Sequence, residues 1–489
     1  MPARRDSFVV TTTPDDRTDP SPTTSAGHPP PRNEPGRRGI RPLLLRLHFY
    51  AGVFVGPFIL IAAITGLLYA LIPQIDSTVF RHELTVDHVG ETRLTLADQL
   101  NAVRAAHPEG TVESIRPPAE ADETTQVTLA VEDVPPDYAR TVFVDPYTGQ
   151  VRGALTTFGQ WMPLRAWFDE LHRNLHLGAV GRNYSELAAS WLWVIALSGL
   201  VLWIGRRART GSLRRLATPD RTATGRRKTL SWHGALGVWI VVALLGLSVT
   251  GITWSRYGGQ SVNQIQAHLN MTAPTVDTVL TAAPGSNPMP AEHHHEAAPA
   301  AGVDGSRGAD VALSAAQKAG LSGPMWMYPP AEAGQGWKVT EKKRDWPTRY
   351  DAITVDPDTG RVTDRVNFAD WPVLAKLTNW AIDAHMGVLF GVLNQAVLAL
   401  VAVGLIVGIV LGYRMWWQRR PTRGGAWAAG RPPLRGALRQ SATPTALLVV
   451  LVAVGVGWFL PLFGMSLLAF LLVDAGVATV RNRRGRQRS

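Results

Sequence analysis

The sequence predicts a mostly α-helical membrane protein. It reads as duplicated transmembrane helix pairs forming a four-helix bundle, a C-terminal helical hairpin, and two small extracytoplasmic α+β units. Three observations predict this class. Apolar residues fall in blocks long enough to span a bilayer, which takes about 20 residues. Basic residues crowd beside those blocks, as membrane topology requires. One pattern also occurs twice: in "LRLHFYAGVFVGPFILIAAITGLLYA" and "LSWHGALGVWIVVALLGLSVTGITWS", His48 and His233 each stand 18 residues before the glycine of a similar tripeptide, Gly66 and Gly251.

Composition narrows the chemistry. At 489 residues the chain exceeds one ordinary domain, and its net charge of +11 sits next to apolar runs, which points to a lipid bilayer and not to nucleic acid. It contains no cysteine. Disulfides, cysteine-ligated clusters, thioether-attached haem and thiol catalysis are excluded together, so any redox centre rests on histidine, methionine, carboxylate or a non-covalent cofactor.

The elements follow in order. Residues 1–39 are rich in Pro, Ser, Thr and charge and read as a disordered cytoplasmic tail. No signal peptide is recognised, so the first apolar segment is expected to direct insertion and remain. Residues 40–72 hold the first span and 73–185 the first outer unit. The second span is 186–205, a basic cytoplasmic loop 206–232, and the third span 233–255. Residues 256–386 form the second outer unit with a flexible insert, and 387–413 the fourth span. A second basic loop, 414–443, precedes the apolar run 444–479 and a basic tail, 480–489. Pro461 and Gly464 suit a turn at the centre of that run, giving a hairpin, with one long tilted helix as the rival. The arginine clusters place the loops and both termini in the cytoplasm by one consistent threading of a plasma-membrane protein. Each outer unit carries an alternating strand, a turn and a second strand, "RTVFVDPYTGQVRG" and "DAITVDPDTGRVTD", hence a β-hairpin, preceded by a helix-like segment.

The two "VDPxTG" hairpins, the histidine-headed first helices, and the entries "LHRNLHLG" and "AHMG" to the second helices resemble the PepSY-associated transmembrane family over about residues 40–420. That resemblance implies an iron-regulated membrane protein with PepSY-like outer units. For some members it implies a di-haem reductase of ferric siderophores.

Position sorts the thirteen histidines. His48 and His233 head helices one and three at the cytoplasmic face; His172, His176 and His385 precede helices two and four at the outer face. Aligning His176-Leu177-Gly178 with His385-Met386-Gly387 makes His176 the duplicated partner of His385, while His172 breaks the symmetry. A polar group at the bilayer edge facing a bundle needs a partner, and haem b with two axial imidazoles provides one. The expectation is two haems. His48 and His233 ligate one near the cytoplasm; His385, with His176 or else His172, ligates a second, roughly 27 Å away by helix rise. Gly52, Gly56, Gly234 and Gly237 would let a flat macrocycle approach, or else serve ordinary helix packing. His293 to His295 sit in the flexible insert, and His82, His88, His107 and His268 lack partners at ligand spacing. Asp169, Glu170 and Asp383 flank the outer histidines, Arg165 and Arg173 suit haem propionates, an anionic chelate or the surface, and the tryptophans, Trp161 and Trp191 among them, read as an aromatic belt.

The reading that leads is a b-type di-haem electron conduit with electrons from a cytoplasmic or quinol donor, since no dinucleotide fingerprint is present. The ferric chelate outside, as substrate of a transmembrane reductase, follows from the resemblance alone. Two alternatives remain: an iron, haem or copper transporter component, and a membrane-anchored interaction or protease-regulating module.

Overall fold

The computed structural model describes residues 40–207, 214–280, 306–419 and 443–486. The chain starts with α1 (Arg41–Phe54), α2 (Gly56–Ala70), α3 (Ile72–Val79), α4 (Arg81–Leu84) and α5 (Leu96–Ala106). Strands β1 (Thr111–Arg116), β2 (Thr125–Ala130), β3 (Ala139–Val144) and β4 (Val151–Thr157) follow, then α6 (Pro163–Asn174) and the long α7 (Gly178–Arg207). After the short α8 (Arg214–Ala217), the second half opens with α9 (Gly225–Thr253), α10 (Arg256–His268) and α11 (Ala309–Lys318). It continues through β5 (Met325–Tyr328), β6 (Trp337–Glu341), β7 (Ala352–Val355) and β8 (Val362–Val366) to α12 (Val373–His385) and α13 (Gly391–Trp417). Helices α14 (Thr443–Phe459) and α15 (Pro461–Arg486) end it.

Among the described residues, four helices are long and apolar enough to cross a membrane: α7, α9, α13 and the Pro461–Val480 part of α15. The bent pair α1 and α2 makes a fifth if counted as one span. The chain is a multi-pass membrane protein. Helix α2 packs on α7 and α13, and α9 packs on the same two, so these four close a bundle. Its interior is apolar, with Ile59, Ala188, Leu244 and Val401 buried together.

The first span is not the straight helix that its hydropathy suggests. It turns by 59° between Phe54 and Gly56. Pro57 lacks an N–H and its ring crowds the carbonyl four residues back, which is that of Val53. That carbonyl finds its partner on another helix, accepting the hydroxyl of Tyr413 at 2.9 Å. A side chain at position 56 would come within 3.1 Å of the same hydroxyl, so glycine leaves Tyr413 its room. Helix α7 also starts earlier than hydropathy alone indicates. Its polar first turns are held by tertiary contacts: Glu186, fully buried, accepts the Tyr257 and Gly258 amides at 2.8 and 3.1 Å and so caps α10.

All eight strands form one antiparallel sheet in the order β4-β3-β2-β1-β5-β6-β7-β8. The hairpin expected in each half forms, as β3–β4 and β7–β8, and the strands around both belong to one sheet. Each half supplies four strands, and the halves join edge to edge where Ile115 opposes Met327. An open edge at β1 or β5 would leave unpaired backbone groups, and pairing them removes the liability. The "VDPxTG" motif makes the same turn twice. Asp145 Oδ1 accepts the amides of Tyr147 and Thr148 at 2.8 and 3.2 Å, and Asp356 Oδ1 accepts those of Asp358 and Thr359 at 2.9 and 3.2 Å. Gly149 and Gly360 close these turns at φ of +76° and +68°, where a Cβ is strained. Helices α5 and α11 cover one face of the sheet through Leu100, Val103, Ala312 and Ala316. Asp310 of α11 caps α5, accepting from the Leu96 and Ala97 amides at 2.7 and 3.1 Å.

The last apolar run breaks at Leu460. Gly457 and Gly464 then lie so close that a side chain at Gly464 would meet the Gly457 carbonyl at 2.7 Å. Leu460 and Phe463 pack on α7 against Trp191, whose indole donates to Ser466 at 2.9 Å. Trp191 is thus buried between helices and is not part of an interfacial belt.

Candidate functional site

Two histidine pairs stand at opposite ends of the bundle. Away from the sheet, His48 on α1 faces His233 on α9 with ring centres 6.2 Å apart. On the sheet side, His172 on α6 faces His385 at the end of α12, ring centres 6.5 Å apart. The pairs are separated along α9 by the 17 residues from His233 to Thr250, about 26 Å of helix.

Every ring is held by its Nδ1. His48 Nδ1 donates to the Ile195 carbonyl at 3.0 Å and lies 3.2 Å from Ser198 Oγ; His233 Nδ1 donates to the Gly408 carbonyl at 2.9 Å. A carbonyl can only accept, so the proton is on Nδ1 in both. On the sheet side His172 Nδ1 meets Thr65 Oγ1 at 2.9 Å, and His385 Nδ1 meets Thr250 Oγ1. Each threonine hydroxyl gives its own proton back to its helix, Thr65 to Ile61 at 2.9 Å and Thr250 to Gly246 at 2.9 Å. Its oxygen is left to accept from the imidazole. All four rings therefore present Nε2 as the lone-pair nitrogen. Burial pushes the imidazole of His172 down to about 4; burial, with the charge of its partner ring, pushes that of His385 to about 3. Both are neutral at physiological pH, the form that binds a metal.

Backbone approach is designed around the rings. A side chain at Gly199 would meet His48 Cε1 at 2.8 Å, one at Gly66 would meet His172 Cε1 at 3.1 Å, and Gly412 lies beside His233. Of the four glycines singled out by sequence, Gly234 admits Trp203 and Gly56 admits Tyr413, so these two serve protein packing. Gly52 and Gly237, each one turn beyond a histidine, face open space. Aromatic rings flank the sheet-side pair, Tyr69 stacking on His172 at 6.5 Å and Trp254 lying 6.1 Å from His385.

Two imidazoles that share one metal ion stand with ring centres roughly 6 Å apart, since a metal–imidazole bond is about 2 Å and the ring adds about 1 Å at each end. Both pairs match that spacing and present the correct tautomer. Two such imidazoles would suit a metal ion held between them. Among the described residues no group of three or more histidines, cysteines or carboxylates could hold a bare ion.

Of the two candidates for a partner of His385, His172 stands opposite it and His176 does not. Helix α6 ends at Asn174, and Leu175 and His176 both take left-handed backbone at φ of +56° and +55°. The His176 ring turns away to lie on Trp167 at 4.8 Å, with Nδ1 3.4 Å from Glu170. The register that counts runs to the next helix: His172 and His385 each precede by six residues the positive-φ glycine that opens the following helix, Gly178 and Gly391.

Other flagged residues are scattered. His82 meets Arg152 at 3.1 Å and His107 meets Glu109 at 3.1 Å, while His268 ends α10. His293 to His295 lie outside the described residues. Asp169 pairs loosely with Arg173 at 3.6 Å, and Arg173 lies over Phe158. Asp383 is deeply buried and takes a 2.7 Å hydrogen bond from Arg344 Nε and another from Tyr350. Burial raises its carboxyl above the usual range against the opposing pull of Arg344.

A cavity of about 430 Å³ opens between the sheet and the bundle, lined by Asp76, Arg116, Trp161, Arg165, Trp326, Lys342, Arg344, Gly387 and Gly391 among others. Arg165 Nε donates to Tyr69 Oη at 3.1 Å, which connects this cavity to the ring stacked on His172. Sequence reasoning missed the cavity cations Arg116, Lys342 and Arg344, which carry no motif. It also missed Thr65 and Thr250, although the repeated "ITG" and "VTG" contained the signal. Among curated proteins no match was found. One family profile, that of the PepSY-associated TM region, matches residues 45–419.

Proposed function

Since the chain belongs to the family of the PepSY-associated TM region, we propose that it is a transmembrane electron-transfer protein that holds two b-type haems and reduces a ferric chelate outside the plasma membrane. One observation carries the proposal: two imidazole pairs at opposite ends of one bundle, each ring bonded through Nδ1, with ring centres 6.2 and 6.5 Å apart. In this reading His48 and His233 hold one group, and His172 and His385 the other. His176 is left outside the donor set. Haem supplies one-electron redox chemistry when bound.

The remaining work belongs to the protein. The Ile195 and Gly408 carbonyls and the hydroxyls of Thr65 and Thr250 keep each imidazole in one tautomer and one orientation. The apolar packing of the bundle between the pairs, Ile59, Ala188, Leu244 and Val401, would lower the dielectric there. In this reading the chain is a duplication, with α1, α2 and α7 of the first half corresponding to α9 and α13 of the second. Basic residues on the side away from the sheet argue for a cytoplasmic face there, with both termini inside and the sheet outside. Electrons would enter from a cytoplasmic or quinol donor.

The test is spectroscopic. Detergent-purified protein is expected to hold about two haems per chain and to give a dithionite-reduced b-type spectrum. His48→Ala and His385→Ala should each remove one of the two. Protein made under haem-replete conditions with no haem would end the proposal.

A further inference from the structure

We propose that the cavity between the sheet and the bundle is the seat of the chelate and selects for anionic complexes, with carboxylate or catecholate donors bound by Arg116, Arg165, Lys342 and Arg344. The identity of the ligand as a ferric chelate rests on the electron-transfer reading above. The preference for an anion rests on the cavity itself. Four cations line it against two carboxylates, Asp76 and Asp345; Asp345 is engaged by Lys343 at 3.0 Å, Arg344 by Asp383 at 2.6 Å from outside the lining, and Arg116 has Glu123 only at 4.0 Å, so the lining keeps a positive balance. Arg165 is only 8% exposed, yet its Nη2 has no hydrogen-bond partner. A buried guanidinium with an unsatisfied donor is costly unless something completes it, and a ligand oxygen would. The cations are pre-set against indole faces, Arg165 over Trp161 at 3.8 Å and Arg116 over Trp326 at 4.8 Å. Their side chains are thus ordered before any ligand arrives. The volume of about 430 Å³ falls within the range of small-ligand sites.

Position supports the assignment. Arg116 and Trp326 come from β1 and β5, the two strands at the seam of the sheet, so the cavity exists only because the halves join. Its floor reaches the sheet-side histidines by two routes. Arg165 bonds Tyr69, which stacks on His172; Gly387 and Gly391 lie two and six residues beyond His385 in the chain.

Gallium(III) complexes test this without redox chemistry, because gallium copies the charge of ferric iron and is not reduced. Binding of anionic gallium tris-catecholate and gallium citrate is measured by quenching of tryptophan fluorescence, with a gallium trihydroxamate made cationic by a pendant protonated amine as the contrast. At least one anionic complex should bind ten-fold or more tighter than the cation. The double variant R116Q/K342Q should lose ten-fold or more of that affinity with its haem spectrum intact, and D76N should gain affinity. Equal binding of all three complexes would overturn the proposal, as would unchanged affinity in R116Q/K342Q. Loss of haem from R116Q/K342Q with chelate binding retained would also overturn it and give these cations to the haem carboxylates. Failure of the electron-transfer reading is seen separately, as missing haem in the wild-type protein whatever the gallium result.

Discussion

Thr65 and Thr250 each lend an oxygen to a histidine on another helix, and each can do so only because its proton is spent on its own helix. Such outer partners of a ligand typically carry 10- to 100-fold in affinity, so Thr65→Val and Thr250→Val should each weaken haem retention by about that factor in a haem-competition assay. Thr253→Val, on the same helix but off the ring, should not. His172 and His176 are separable in the same way. His172→Ala should cost one haem per chain by pyridine haemochrome assay, and His176→Ala should leave two. Asp76 supplies a pH signature. Burial raises its carboxyl to about 6, so it opposes folding once ionised: its contribution is fully present below the usual carboxylate range and lost as pH rises through about 6. Melting in detergent should therefore fall between pH 5 and pH 7.5 more steeply for the wild type than for Asp76→Asn.

The first span shows how one residue shapes an element. Pro57 frees the Val53 carbonyl, and Tyr413 on α13 takes it, so the bend is paired across the bundle. Tyr413→Phe removes one neutral hydrogen bond and should destabilise by about 1 kcal/mol, read as a shift in thermal or denaturant unfolding. The equivalent stretch of α9 has Val242 where α2 has Pro57, and α9 runs unbroken from Gly225 to Thr253. The two hairpin turns make a second element-level case. Gly360→Ala forces a Cβ into left-handed backbone beside Val311 and should cost about 1–2 kcal/mol, with no change in haem content.

At the scale of the whole molecule the sheet ties the halves together. It joins them through β1 and β5, and Asp310 from the second half caps a helix of the first. Asp310→Ala should cost about 1 kcal/mol in overall stability by leaving two amides of α5 without a partner. The bundle repeats this union on the membrane side, where each histidine pair draws one ring from each half. Neither pair exists in half a molecule. The cavity at the seam follows the same rule.

The sequence by itself determined the membrane class, the family, the "VDPxTG" turns and the histidines at both ends of the apolar helices. Each of these is written in local order: hydropathy, charge and turn chemistry act within a few residues. Only the tertiary structure decided that eight strands make one sheet, that His172 and not His176 faces His385, and that Arg116, Lys342 and Arg344 share a cavity. Those outcomes depend on which surfaces meet across hundreds of residues. The left-handed backbone at Leu175 and His176 shows the difference plainly, because one turn of helix more or less sends a ring into the bundle or out onto Trp167.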